Sequence, residues 1–316
     1  MNRKIDGTFF EFRHHNTAEG KYWNSALEKF QAEDWKNKIR EISALGMEYI
    51  VVMATALYDK CYFKSSVFPF ADMPCSDPIE AILTQADECG IKVFLGNGFY
   101  GDWTKPRNNM TDKEIITRSF KAMEELTALY GNHKSFYGWY FPDETCIILR
   151  FSKDFTSYVN LCSAYCAEIT PDKKTLIAPY GTNLALTNEK YIRNLTELDV
   201  DFISYQDEIG VKKTPVGRSE KIFERLRKAH DKAGRSELWA DIELFTFEGT
   251  VYKSALLPAS IERITRQIKN VAPYADKIIS YQYLGIMNPA DSPSFAGHPD
   301  SAKLYEDYRK YLTNCR

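Results

Sequence analysis

Eight times along its length the chain sets a short apolar run ahead of a longer amphipathic one, and this alternation constrains the fold more than any other feature. The apolar runs are Ile5–Phe12, Tyr49–Met53, Ile91–Leu95, Phe136–Phe141, Thr175–Ala178, Asp201–Tyr205, Glu237–Ile242 and Lys277–Tyr283. Tyr49-Ile-Val-Val-Met53 has no polar position, as suits a strand covered on both faces. Between the runs, apolar residues recur at helical spacing: Trp35, Ile39 and Ile42; Phe155, Tyr158, Val159, Cys162, Cys166 and Ile169; Ile261, Ile264, Ile268 and Val271. Asp77-Pro78 with Glu80 reads as an N-cap, a first-turn proline and a capping-box partner, while Gly46, Gly90 and Gly234 mark helix stops. Strands alternating with helices imply a parallel sheet. Eight repeats favour a closed barrel over an open doubly wound sheet. The expected fold is α/β, a single (β/α)8 TIM barrel, with residues 1–316 forming one domain because no linker-like or low-complexity stretch interrupts the series.

Composition narrows the partners. A formal net charge of −2 gives no basic face for nucleic acid. No apolar run is long enough to span a bilayer and no signal-type segment follows Met1, so no membrane partner is expected. The chain as it stands reads as cytoplasmic, or as exported if a leader has been removed. Seven cysteines, an odd number without a CxxC pair, favour reduced thiols. No clustered ligand set suggests a metal, and none of the cofactor motifs appears. His14 and His15 follow strand one, where neighbouring side chains would point apart rather than share an ion. Gly96-Asn-Gly-Phe-Tyr-Gly-Asp-Trp103 is glycine-rich but lacks the Lys-Ser/Thr of a phosphate loop. No G-x-S-x-G elbow is present. The sequence leaves the oligomeric state open.

In a parallel eight-fold barrel the C-terminal strand ends share one face, where such barrels place their chemistry. Trp139-Tyr-Phe-Pro-Asp-Glu144 closes the fourth unit and Trp239-Ala-Asp-Ile-Glu243 the seventh. Cleavage of a glycosidic bond needs one carboxylic acid to protonate the leaving oxygen and a second carboxylate to attack or stabilise the anomeric carbon. Glu144 is the expected acid/base and Glu243 the expected nucleophile, acting by retention on an oligo- or polysaccharide without a cofactor. Tyr140, Phe141 and Asp143 can keep Glu144 protonated, and Asp241 shares the strand face of Glu243. Carboxylates at strand ends also serve as helix caps, which is the structural alternative for both glutamates. Candidate carbohydrate contacts are Glu11, His14, Tyr58, Asn97, Phe99, Trp103, Asp143, Tyr180, Gln206, Asp207 and Tyr283, with Asp207 the spare carboxylate. Two other functions stay open: a non-catalytic carbohydrate-binding barrel, and a metal-dependent barrel enzyme, for which the chain offers no HxH or HxxE cluster.

Several of these segments together carry a family likeness. Asp6-Gly-Thr-Phe-Phe10, Trp35 with Leu45-Gly46-Met47, Gly138-Trp-Tyr-Phe-Pro-Asp-Glu144, Tyr205-Gln-Asp-Glu-Ile-Gly210 and Trp239-Ala-Asp-Ile-Glu243-Leu-Phe245 stand in barrel order over most of the chain. With them the chain resembles the glycoside-hydrolase-like barrel proteins grouped as domain-of-unknown-function family 4434. Its strand-four and strand-seven glutamates are placed as in clan GH-A, the large retaining clan of barrel glycosidases. The resemblance implies a TIM barrel acting on carbohydrate, with Glu144, Gln206, Asp207 and Glu243 as site positions. It also implies that relatives are often exported.

Overall fold

The computed structural model describes residues 3–315. Its centre is a closed barrel of eight parallel strands: β1 (Gly7–Phe10), β2 (Tyr49–Val52), β3 (Lys92–Gly96), β4 (Phe136–Phe141), β5 (Lys174–Ile177), β6 (Phe202–Gln206), β7 (Glu237–Glu243) and β8 (Lys277–Tyr281). Sequence neighbours pair throughout, and β1 closes the ring on β8 with Gly7 opposite Ile279. The main helices are α1 (Ala32–Ala44), α2 (Pro78–Cys89), α3 (Lys113–Tyr130), α4 (Lys153–Ile169), α5 (Glu189–Glu197), α6 (Val216–Ala233), α7 (Ile261–Val271) and α8 (Asp300–Thr313). The expected TIM barrel is the observed one.

Helix starts follow side-chain chemistry. Asp77 accepts the Glu80 N–H ahead of α2, Asp112 the Glu114 N–H ahead of α3, Ser152 the Phe155 N–H ahead of α4 and Ser260 the Arg263 N–H ahead of α7. Each cap satisfies an orphan donor and is worth about 1 kcal/mol. α2 and α6 stop at Gly90 and Gly234, both left-handed.

The barrel interior is built in layers. At the bottom Tyr49, Phe94, Tyr137, Phe202 and Trp239 meet, with Phe202 stacked on Trp239 at 4.6 Å and Tyr49 edge-on to it at 5.0 Å. The close approach at Gly138 makes this possible: a Cβ there would lie 2.8 Å from the Phe94 ring and 2.3 Å from the Lys174 carbonyl. Above it Phe9 packs edge-on against Tyr140 at 5.3 Å and at a tilt of 49° against Tyr281 at 5.8 Å. Above this second layer the strand ends carry Gln206 and Glu243 into the C-terminal mouth.

Two expected strands are too long. β1 ends at Phe10 rather than Phe12, and β8 at Tyr281 rather than Tyr283. The loops on the mouth side hold elements that the alternation does not signal. They are a hairpin of Ala56–Leu57 with Lys60–Cys61, a helix at Pro106–Thr111 and a hairpin of Phe245–Phe247 with Leu256–Pro258. All seven cysteines are unpaired. No helix among the described residues is long and apolar enough to cross a membrane.

Candidate active site

The mouth of the barrel holds a cavity of about 570 Å³ with both Glu144 and Glu243 in its wall. Glu144 follows β4 through Pro142, which breaks the strand, and a tight turn in which its N–H reaches the Pro142 carbonyl at 2.8 Å. Its Oε1 accepts from the Tyr140 hydroxyl at 2.7 Å and its Oε2 from Gln206 Nε2 at 2.7 Å. Burial pushes the carboxyl up to about 7, the Tyr140 and Gln206 hydrogen bonds pull it down, and the neighbouring Asp143 charge raises it. Glu144 is thus poised to hold or release a proton near neutrality.

Glu243 closes β7. Period-two alternation aims Trp239, Asp241 and Glu243 inward from bottom to mouth. Glu243 Oε2 accepts the Val211 N–H at 2.8 Å. The approach needs Gly210, where a Cβ would fall 2.9 Å from that same oxygen and 2.7 Å from the Phe245 carbonyl. Burial raises the Glu243 carboxyl, and the charge of Asp207 raises it further. Asp241 is pushed well above the carboxylate range by burial and then by Glu243, Asp207 and Glu144. Their nearby cation is Arg263 on α7, whose Nη2 donates to the carbonyls of Glu243 at 2.8 Å and Phe245 at 2.6 Å.

Of the expected carbohydrate contacts, Phe99, Trp103, Tyr180 and Gln206 stand in the cavity wall. Seven others do not. Asp207 points behind β6, accepting Gln267 Nε2 at 2.6 Å and the Ile209 N–H at 3.1 Å, so it braces the wall rather than lining it. Asp143 turns outward to Asn109 Nδ2 at 2.7 Å and the Tyr158 hydroxyl. Asn97 lies under the helices against the sulfurs of Met123 and Cys162. Tyr283 lies beyond β8 and is buried, with its hydroxyl on Glu41 at 2.8 Å. Glu11 is held below the mouth by Trp23 Nε1 and Gln282 Nε2. His14 is buried with its Nε2 at 3.1 Å from the Tyr281 hydroxyl, and thereby orients a wall residue. Tyr58 is half exposed on the rim and donates to the His15 carbonyl.

The wall also contains His15, Glu19, Glu208, Lys213, Asp241, Tyr252 and Tyr281. Two of these carry a usable signal in the sequence. Asp241 stands two before Glu243 on the same strand face, and Glu208 lies two residues past the end of β6 at Gln206. The others come from loops, where no periodicity applies. Glu208 is fully buried at a φ of +54° and meets Lys213 Nζ at 3.5 Å. Lys213 in turn lies over the Tyr180 ring at 5.1 Å and the Tyr252 ring at 5.6 Å. Glu19 is raised to about 7 by burial and by the Glu11 charge. His15 is lowered to about 3 by burial, so it is neutral at working pH. The cavity is therefore acid-rich, with Lys213 as its lysine.

The adjacent histidines do not point apart. Their rings stack at 4.7 Å and 22°, because the chain has left the strand at Phe10 and alternation no longer governs it. With Glu11 they bring three donor atoms within 4.8 Å of one another. His14 Nδ1 accepts the Asn16 N–H at 3.0 Å. The proton of the neutral ring is then on Nε2, directed at Tyr281 and Glu19, so the ring offers a cation no free lone pair.

Fold and site together define a (β/α)8 barrel with paired glutamates at the ends of its fourth and seventh strands. The chain belongs to the family described as Domain of unknown function (DUF4434), whose model matches residues 5–297. No curated protein matches it. Among solved structures it is similar to a Bacteroides thetaiotaomicron protein provisionally described as an alpha-L-fucosidase. The TM-score is 0.76 at 18% identity, with 98% of this chain and 93% of the other covered. It is also similar to the endo-beta-1,4-mannanase of Thermotoga petrophila, with a TM-score of 0.61 at 11% identity over 100% of this chain and 78% of that one. A third is the GH2 beta-galacturonidase of Eisenbergiella tayi, with a TM-score of 0.59 at 12% identity over 97% of this chain and 51% of that one. At these identities the likeness is one of fold.

Proposed function

We propose that the protein is a glycoside hydrolase that cleaves by retention, with Glu144 as acid/base and Glu243 as nucleophile. The observation that carries this is Glu144, a carboxyl held at about 7 in the same cavity wall as a second inward glutamate. Protonated Glu144 donates to the glycosidic oxygen as the C1–O bond breaks, and ionised Glu243 attacks C1 to form a glycosyl ester. Glu144, now a carboxylate, takes a proton from water. The water oxygen attacks C1, and Glu243 leaves as a carboxylate. The sum is one water consumed per bond cleaved, with no cofactor. The named activities of the structural neighbours, all on sugars, support the substrate class.

Two observations favour exchanged roles. Burial and the Asp207 charge raise Glu243 to about 8, above Glu144 at about 7. Glu144 also receives two side-chain hydrogen bonds that stabilise its ionised form, whereas the Glu243 carboxylate receives a single backbone N–H. Strand position favours the first assignment, and Arg263 supplies a countercharge when Glu243 ionises.

The test is release of reducing ends from a broad panel of oligosaccharides and aryl glycosides by the wild type, Glu144→Gln and Glu243→Gln. Cleavage that falls by about 10²–10⁴-fold or more in each variant is expected. Glycan binding without cleavage, retained in both variants, would replace the hydrolase with a carbohydrate-binding barrel.

A further inference from the structure

The cavity has one tied side and one open side, and the two differ in which glutamate they adjoin. The loop after β1 is bonded to the loop after β7 by Asn16 Nδ2 on the Tyr252 carbonyl at 3.1 Å and by Lys21 on Glu248 at 3.0 Å. Lys213, from the loop after β6, lies between Tyr252 and Tyr180 and carries this rim round to the loop after β5. On the other flank His15 meets Trp103 at 4.6 Å, and Tyr58 donates to the His15 carbonyl, which joins the loops after β1, β2 and β3. The rim is thus linked from Trp103 through His15, Tyr252 and Lys213 to Tyr180.

The remaining arc, between Tyr180 and Pro106, opens over the loop after β4 into a groove of about 1010 Å³. Groove and cavity share Pro106, Glu144 and Tyr180, while Glu243 and Asp241 line the cavity alone. The groove floor is a fixed surface: the Ile147 N–H reaches the Tyr180 carbonyl at 2.8 Å, the Tyr180 N–H the Thr145 carbonyl at 3.1 Å, and the Leu186 N–H the Leu149 carbonyl at 2.9 Å. This floor exposes Ile148 at 68% and Leu149 at 54%, beside Arg150. Exposed apolar side chains on the wall of a groove continuous with a cavity suit a binding surface.

We infer that the protein attacks a glycan at its non-reducing end, with the terminal sugar enclosed in the cavity and the reducing-end remainder lying in the groove beside Glu144. This rests on the hydrolase reading and on Glu144 as the proton donor. The leaving oxygen must face the donor, so the leaving chain extends past Glu144, and the groove is the space on that side. An internal cut would need a second exit for the chain beyond Glu243, where the loops after β1 and β7 are bonded together. Among the described residues the cavity wall offers an acidic sugar no unengaged lysine or arginine, which points to a neutral or amino-bearing terminal sugar. Glu19, Glu208, Asp241 and Glu243 face it, and Lys213 is engaged by Glu208.

The test uses fluorescent, reducing-end-labelled oligosaccharides of whichever sugar the wild type cleaves, each made with a free and with a benzylidene-capped non-reducing end. Stepwise loss of terminal sugars from free chains, with cleavage of capped chains reduced by at least about 100-fold, is the expected result. That reduction corresponds to two tenfold steps in transition-state affinity. Capped chains cut at the same rate into internal fragments would overturn end-directed action while leaving the hydrolase standing. If no sugar in the panel of oligosaccharides and aryl glycosides is cleaved, the hydrolase is overturned, and this inference with it. In the groove, Leu149→Asp and Arg150→Glu are expected to lower kcat/KM progressively more as the oligosaccharide lengthens. A loss independent of length would overturn the groove as the site of the leaving chain.

Discussion

Glu144 shows how far a single side chain can be tuned by its surroundings. Burial lifts it to about 7, while the Tyr140 hydroxyl stabilises the ionised form and holds it down. Removing that donor raises the pKa. As the acid form is the active one, the basic limb of the pH–rate profile for Tyr140→Phe is expected to move to higher pH, and a limb that moves down would refute the coupling. The same burial has a stability consequence. The native carboxyl keeps its proton up to about 7, whereas an unfolded glutamate loses it near the ordinary value of 4.5. Stability therefore falls as pH rises through that window and levels off above it. Glu144→Gln escapes this loss, so denaturant melts should find it more stable than wild type by on the order of 2–3 kcal/mol above pH 7, with the difference vanishing below pH 4.5. Much at this scale is legible in the amino-acid sequence. Strand alternation pairs Glu243 with Asp241, whereas Glu208 lies beyond the end of β6, where alternation no longer applies. Asp207 and Asn97 illustrate the failure: both sit at strand ends, yet one faces α7 and the other the α3–α4 side, because a residue at a strand end has two faces to choose from.

At the scale of elements, the site depends on how the loop after β6 and helix α7 meet β7. Gly210 lets the Val211 N–H reach Glu243, and an added methyl would enter the space of the Glu243 carboxylate and the Phe245 carbonyl. Gly210→Ala is expected to cost about 1–3 kcal/mol of stability and to lower kcat, measured by urea melts and by turnover on the cleaved glycan. Arg263 fixes the far side, donating to two carbonyls and to Gln267 Oε1 while facing Asp207 and Glu243. Arg263→Met leaves these acceptors and carboxylates without their donor. A loss of about 3–5 kcal/mol is expected, larger at pH 8 than at pH 5 because the carboxylates are ionised at the higher pH. A pH-independent loss would show that packing alone is at stake. Helices and strands are readable from periodicity and caps. The small hairpins at Ala56–Cys61 and Phe245–Pro258 are not, since each pairs a few residues on one barrel loop with no repeat to reveal them.

For the molecule as a whole, closure is the organising fact. β1 must find β8 across most of the chain, and the last helix fixes the segment that leads into β1: the Tyr308 hydroxyl accepts the Ile5 N–H at 2.7 Å, and the Tyr311 hydroxyl donates to the Arg3 carbonyl at 2.7 Å. Tyr308→Phe leaves a buried N–H without an acceptor and should lower unfolding stability by about 1–3 kcal/mol. A neutral result would mean that strand pairing alone seals the barrel. The eight-fold alternation is enough to predict the barrel and its working face. It is not enough to show that the mouth is tied on one side and open on the other, because those links run between loops. In the proposed reaction Glu243 bonds covalently to the sugar while Glu144 moves the proton. Incubating the protein with a panel of dinitrophenyl 2-deoxy-2-fluoroglycosides and mapping the labelled peptide by mass spectrometry tests this most directly. A glycosyl adduct on Glu243 is the predicted result; an adduct on Glu144 would exchange the two roles, and the absence of any adduct across the panel would contradict the retaining mechanism.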